Sequence, residues 1–382
     1  MKKFFILAVL VFAVMFSFGV MPAYADTDLI DGKACCLIDY NTGKVLYEQH
    51  SDDQYPVASI VKLMTILLTT ENIEKGNINL EDKVIASSTA AAMGGSQVFI
   101  EENGEYAIKD LLKSVIMASA NDASVLLAET IAGSESNFVT LMNNRAQELG
   151  LANTHYANST GLPAAGQFSS AKDCAILLRE VSKHDIYHNY SKIWIDTLSH
   201  PKGRETELVN TNKLIRYYKG CIGGKTGSTD EAGYCLSAIA KRGDMKLIGV
   251  VLGTKSSKDR FGQTSKLLDY GFNSYENKKI VAKGDKIDSQ IKVKFGKESY
   301  INGIYEDDFY VISSKLDKSN IMTSIEVEQE LKAPIKAGDK IGTIYITRDG
   351  EVIGEVNILA EKDVDKLTTI DNIYRISENF LI

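Results

Sequence analysis

The apolar positions of this chain change rhythm along its length, and each rhythm predicts a different architecture. Ala34, Cys35, Cys36, Leu37 and Ile38 form an unbroken apolar run closed by Asp39. Val45, Leu46 and Tyr47 answer it across Tyr40-Asn41-Thr42-Gly43-Lys44, so the pair predicts a β-hairpin with an Asn/Gly turn. A helical rhythm follows. Leu63, Met64, Ile66, Leu67 and Leu68 predict a helix buried nearly all round, with Pro56 and Ser59 at its start. Ile108, Leu111, Leu112, Val115 and Ile116 keep helical spacing, and further helices are predicted over 122–131, 138–149 and 171–181. Residues 77–105 are mixed, with Gly94-Gly95-Ser96 read as a loop, and 158–163 read as a turn. Strand texture returns at 234–240 and 246–252 around Arg242-Gly243-Asp244, a turn and not an adhesion motif. A polar stretch over 276–284 marks a boundary. Beyond it, short alternating segments near 291–295, 309–312, 325–328, 341–346 and 352–356 predict a small all-β domain with no catalytic constellation.

Composition narrows the picture without deciding it. At 382 residues, 44% hydrophobic and 24% charged, the chain is an ordinary globular protein of about two domains. A net charge of −7, with no basic patch interleaved with aromatics, argues against a nucleic-acid partner. Residues 1–25 read as a secretory signal peptide: Lys2 and Lys3, an apolar stretch from Phe4 to Val20, then Ala23-Tyr24-Ala25 as a small-x-small cleavage site. The apolar stretch is long enough to compete as an uncleaved anchor, with cleavage the favoured reading. Five cysteines are an odd count and read as small buried hydrophobes; a Cys221–Cys235 bridge across a hairpin is the alternative for those two. His184 and His188 lack a third ligand nearby in sequence, so no metal site is expected. The tail, 361–382, carries Val364, Leu367, Ile370, Ile373, Tyr374 and Phe380 near helical spacing. It reads either as a helix packed on the protein or as a peripheral membrane contact. Its acidic balance favours packing, since basic faces suit anionic membranes.

The chemistry is carried by three short motifs. Ser59 and Lys62 lie three residues apart, one turn on one helical face, where a lysine of lowered pKa can take a serine's proton. Alone, this pair reads first as an N-cap serine followed by a snorkelling lysine. Ser119-Ala120-Asn121 falls at a junction between two predicted helices, where two polar side chains can project into a cleft; a C-cap followed by an N-cap explains the same residues. Lys225-Thr226-Gly227-Ser228 precedes the 234–252 hairpin, on or beside a strand. There a lysine and two hydroxyls could receive a carboxylate, and Gly227 could let an extended backbone approach. A serine–lysine pair, an S-x-N and a K-T-G in that order form the signature of penicillin-binding proteins and active-site serine β-lactamases.

With those motifs, the chain resembles the low-molecular-mass penicillin-binding proteins that act as serine-type D-alanyl-D-alanine carboxypeptidases. The resemblance extends to residues 37–47, Ser119 to Ala123, Asn158 to Leu162, Lys225 to Tyr234 and Ile335 to Gly342. It departs from the family at Ile60-Val61, commonly small and polar, and at Ser228, often an aromatic or a histidine. The fold it implies is an α/β (α+β) serine β-lactamase/DD-peptidase-like domain, a sheet flanked by helices, over 27–277. A C-terminal β-domain over 284–360 and the tail over 361–382 follow. The activity it implies is removal of the terminal D-alanine from peptidoglycan stem pentapeptides through a Ser59 acyl-enzyme, without cofactor, and with β-lactam antibiotics as inhibitors. Catalytic roles fall to Ser59, Lys62 and Ser119, with the backbone N–H groups of Ser59 and Ser228 as oxyanion hole. Substrate contacts fall to Asn121, Lys225, Thr226, Gly227, Ser228 and Arg260, the last equally readable as an exposed surface arginine. The rival readings are a β-lactamase, a DD-transpeptidase or endopeptidase, and a non-catalytic wall-binding protein. The work is expected outside the cytoplasm.

Overall fold

The structure is a computed structural model and describes residues 29–328 and 330–371. The leader-like segment 1–25 and residues 372–382 of the tail lie outside the described residues. The predicted hairpin forms as β1 (Ala34–Asp39) and β2 (Val45–Gln49). Asp39 fixes its turn by accepting from both the backbone N–H and the hydroxyl of Thr42, each at 2.8 Å. The strand run is apolar without alternation because both its faces are covered. Cys36 and Ile38 enter one core cluster, and Cys35 and Leu37 the other.

The remaining strands of this sheet are β3 (Cys221–Thr229), β4 (Gly233–Arg242) and β5 (Met245–Thr254). The sheet is antiparallel throughout, in the order β2-β1-β5-β4-β3, which leaves β3 at an edge. Its register sets Cys221 opposite Ala240 and Cys235 opposite Gly227. The two cysteines are therefore far apart along the sheet, and the alternative of a bridge between them is excluded by geometry. All five cysteines are free thiols, four of them buried.

One face of the sheet packs against helices α1 (Lys62–Glu74), α2 (Ile108–Met117), α3 (Asn121–Ala132), α4 (Glu135–Glu148) and α5 (Ala171–Val181). Every residue of α1 from Lys62 to Thr70 is buried, so it is the axis of the helical layer. The other face is covered by α6 (Ser257–Ser274), through Leu267, Leu268 and Phe272. This helix was not predicted from the sequence. Its signals are the Ser256 N-cap, which accepts from the Asp259 N–H, and the Leu267–Leu268–Phe272 spacing.

The β-domain begins earlier than the polar stretch suggested. Tyr275–Val281 is itself a strand, paired with Phe309–Ser314; its exposed positions gave it the look of a linker. A four-stranded sheet of Gly303–Tyr305, Glu351–Ala360, Lys340–Arg348 and Ile321–Val327 closes around Ile341, Ile344, Ile346 and Ile358. The predicted tail helix also needs correction. Val364 is buried and pairs with Ile335, and Lys366 pairs with Gly296, so the segment runs extended until a helical turn at 369–371. Val364 serves the β-domain core, whereas Ile370 is exposed. Lys315 Nζ donates to the Phe272 carbonyl (2.8 Å) and Asn277 Nδ2 to Asp39 (3.0 Å), joining the domains.

Leu67→Ala, in the fully buried face of α1, is expected to lower the stability of the first domain by about 2–5 kcal/mol, while Val352→Ala on the β-domain surface stays within about 0.5 kcal/mol. Urea unfolding of both variants checks this; equal effects would mean that α1 does not organise the core.

Candidate active site

Ser59 lies in a single 3-10 turn, Ala58–Val61, that leads into α1. Such a turn stacks residue i on i+3, so the serine and the lysine meet although Ser59 precedes the α-helix proper. Lys62 is completely buried, and its Nζ lies 3.0 Å from Ser59 Oγ. The same Nζ donates to Asn121 Oδ1 (2.6 Å) and to the carbonyl of Thr160. Burial, helped by the nearby Lys225 and opposed by Asp122, holds the Lys62 amine well below its ordinary pKa.

Ser119 stands where α2 ends. Its backbone takes a left-handed φ of 62°, the conformation that usually calls for glycine at a helix C-terminus. A serine there costs on the order of 1–3 kcal/mol, which the surrounding packing sustains. The strained turn aims Ser119 Oγ at Lys225, whose Nζ donates to it at 2.7 Å and to the Thr226 carbonyl at 3.1 Å. Lys225 is also buried. Its pKa is brought down to about 7, by burial first and then by the Arg260 charge. Thr226 Oγ1 donates to Thr211 Oγ1 at 2.9 Å, while Ser228 is exposed at the rim.

Arg260 is not a free surface arginine. It is only 9% exposed, because its guanidinium packs against Tyr234 and Phe261 and donates to the Gly227 carbonyl at 3.1 Å. Asn121 is engaged at both ends: Oδ1 accepts from Lys62, and Nδ2 donates to the Gly94 carbonyl at 2.7 Å. Ser59, Lys62, Ser119, Asn121 and Lys225 thus form one connected cluster. Thr226, Gly227 and Ser228 continue it along the open edge of β3, and Arg260 backs that strand.

Several contributors escaped sequence reasoning. Asp122, beside the S-x-N, accepts from the N–H groups of Val98 (3.0 Å) and Ile100 (3.1 Å), anchoring the loop that supplies Gly94. Tyr187 OH accepts from the Gly224 N–H at 2.7 Å and steadies the start of the K-T-G strand. The 158–163 turn had a legible signal, since Asn158 Oδ1 accepts from the Thr160 N–H at 3.2 Å in an Asx turn and from the Gly161 N–H at 2.7 Å. Its role beside Lys62 did not. Gly161 has φ 79°, and a Cβ there would stand 2.1 Å from the Ala58 carbonyl oxygen, so the turn touches the segment carrying Ser59. Gly227 is tight for a similar reason: its Cβ would meet the Val57 carbonyl at 2.5 Å and the Ser59 nitrogen at 3.1 Å. His184 bonds to Glu74 and His188 to the Ser182 carbonyl.

Comparison with known proteins bears on the family and the fold. Residues 21–256 match the D-alanyl-D-alanine carboxypeptidase family, and residues 275–366 match the C-terminal domain of penicillin-binding protein 5. The D-alanyl-D-alanine carboxypeptidase DacF of Bacillus subtilis is 41% identical, over 88% of this chain and 86% of its own. Among solved structures, penicillin-binding protein 5 of Haemophilus influenzae superposes with a TM-score of 0.72 at 31% identity, covering 88% of this chain and 98% of that one. A peptidoglycan synthesis regulatory factor, PBP3, from Streptococcus pneumoniae superposes with a TM-score of 0.74 at 29% identity, covering 88% and 100%. The chain belongs to the D-alanyl-D-alanine carboxypeptidase family of penicillin-binding proteins.

Proposed function

We propose that the protein is a serine-type D-alanyl-D-alanine carboxypeptidase in which Ser59 is the nucleophile and Lys62 its base. The observation that carries this is the hydrogen-bond valence of Lys62. A neutral amine has two N–H groups and one lone pair. The Asn121 Oδ1 and the Thr160 carbonyl take the two N–H groups, which leaves the lone pair for the Ser59 hydroxyl at 3.0 Å. Burial keeps the amine neutral, so it can accept the serine proton as Ser59 attacks the carbonyl between the last two D-alanines. The N–H groups of Ser59 and Ser228 stabilise the oxyanion. Ser119, hydrogen-bonded to Lys225, passes a proton to the departing D-alanine nitrogen, and water then releases the acyl group.

Asn121 offers its second amide hydrogen to the substrate backbone. Lys225, Thr226 and Ser228 receive the terminal carboxylate, with Gly227 keeping the strand close to Ser59 and Arg260 adding positive charge from behind. A β-lactam enters by the same acylation of Ser59. The wall peptide lies outside the cytoplasmic membrane, in keeping with the leader-like segment 1–25. For the tail, packing on the β-domain is the reading favoured by the buried Val364; among the described residues no helix is long and apolar enough to cross a membrane.

D-Alanine release from an acetylated Lys-D-Ala-D-Ala peptide is expected to fall about 10³-fold or more in Ser59→Ala and to vanish after penicillin treatment. Penicillin hydrolysis without D-alanine release would instead mark a β-lactamase. The pH profile tests Lys225. As pH rises through about 7 the buried amine loses its proton, and with it the charge that receives the carboxylate, so kcat/KM should fall on that limb. Lys225→Arg keeps its proton and should shift the alkaline limb upward; a limb that stays in place would assign it to another group. On the acid side kcat/KM should fall as Lys62 gains a proton.

A further inference from the structure

Four lysines from three chain segments converge at the end of the sheet where β3 begins. Lys241 and Lys246 stand directly opposite each other on β4 and β5. Two residues further in, Ile239 and Ile248 are also paired and belong to the helical-side core, so by strand alternation both lysines leave the sheet on that face. Lys219 is brought alongside by the Lys241 N–H, which donates to the Gly220 carbonyl at 2.7 Å. Lys192 follows Ser191, whose Oγ donates to the Ile222 carbonyl at 2.8 Å. Lys192, Lys219 and Lys241 are exposed; Lys246 is half-buried, with its Nζ 4.2 Å from the centre of the Tyr40 ring.

The fold gains nothing from this arrangement. Like charges directly opposite on adjacent strands are destabilising. Acids outnumber bases 50 to 43 in the chain, yet among the described residues none of the four lysines forms an ion pair. Arg242, the next residue on β4, shows the contrast, pairing with Asp269 at 2.8 Å. Asp244, in the turn between the two strands, is exposed and pairs with none of the four. The Lys246 ammonium is disfavoured by burial and then by the charges of Lys241 and Lys192.

The surroundings point to a hydrated polyanion. Neither β4 nor β5 carries an exposed large apolar side chain that would enter a bilayer. On the neighbouring ribbon, the exposed pair Ile195 and Val209 shares its face with Glu205 and Glu207, which repel anionic lipid. Ammonium groups are point charges without arginine's bidentate fork, so four of them suit a row of anionic groups. Each wall stem ending in D-alanine ends in a carboxylate, and a glycan strand bearing several stems is therefore a polyanion. Lys219 lies six residues before Lys225, within about 20 Å of the end of the cleft that receives the terminal carboxylate.

We propose that this lysine cluster is a second binding surface for the polymeric substrate, holding the carboxylates of non-reacting stems while one stem enters the cleft at Ser59. The assignment rests on the carboxypeptidase reading of Ser59. Capture at the cluster makes entry of the next stem an intramolecular event and raises its effective concentration.

The test compares kcat/KM per stem for D-alanine release from a soluble multi-stem glycan fragment and from the single acetylated Lys-D-Ala-D-Ala peptide. The wild-type protein is expected to favour the fragment about tenfold at low salt, and much less in roughly 0.5 M NaCl. In the triple variant Lys192→Gln, Lys219→Gln, Lys241→Gln the ratio should fall to about one with the single-peptide rate unchanged, and in the corresponding triple Arg variant it should persist. Because each ratio is taken within one protein preparation, partial misfolding of a variant does not alter it. A wild-type ratio near one, or a ratio that survives the Gln substitutions, overturns this assignment alone. So does lysine-dependent sedimentation with phosphatidylglycerol vesicles in the absence of any preference for the fragment, which would make the cluster a membrane contact. Absence of release from both substrates in the wild type overturns the carboxypeptidase reading together with it.

Discussion

Two lysine amines buried in one cleft impose the constraint on which the rest of the first domain depends. Each would be stable as an ammonium ion in water; inside the protein, burial pushes both toward neutrality, helped at Lys62 by the Lys225 charge and at Lys225 by the Arg260 charge. Lys62 and Lys225 then need different surroundings if one is to act as a base while the other still carries charge at neutral pH. The structure supplies them. Lys62 lies in the helical layer, between two fixed acceptors. Lys225 sits on the sheet edge against a hydroxyl, with Arg260 behind the strand. Holding them in place takes elements from across the domain: the head of α1, the α2–α3 junction, the 158–163 turn and β3.

The price is visible in the backbone. Ala58 and Ser119 both adopt left-handed φ angles, and both adjoin or belong to the reacting cluster. Gly161 and Gly227 both press close against the Ser59 segment, each leaving no room for a Cβ. The site is thus a meeting of four chain segments at bond-length tolerance, and the packed α1 is the reference to which the others are fitted.

Much of this was legible in the sequence, for identifiable reasons. The three motifs carry side chains whose chemistry is unusual in those contexts, and the helices around them have strong apolar periodicity. What was not legible depended on backbone groups or on distance in sequence. Nothing in Thr160 announces that its carbonyl will hold a lysine almost a hundred positions away. Asp122 looked like an ordinary helix residue because its partners, the Val98 and Ile100 N–H groups, are anonymous. Helix α6 is polar over much of its length, with Leu267, Leu268 and Phe272 confined to its second half, and was passed over. The strand Tyr275–Val281 was read as linker because an exposed strand shares its polar composition. The first residues of the tail were misread for the opposite reason: their apolar positions fit a helical period, but Val364 satisfies a strand-like bridge to Ile335.

The position of β3 has one more consequence. An unpaired strand edge is normally a hazard, because any other extended chain can add to it and begin a growing sheet. Here the edge carries an irregularity near its start, between Cys221 and Gly223, and runs on from there beside the Ser59 segment. There the Ala58–Val61 turn and the Ser119 junction crowd it, with the Val57 carbonyl already at the limit of contact over Gly227. A single narrow chain end can enter that slot, whereas the broad edge of a neighbouring sheet cannot. The steric bottleneck that keeps a neighbouring sheet off this edge is the same one through which a substrate strand would have to pass.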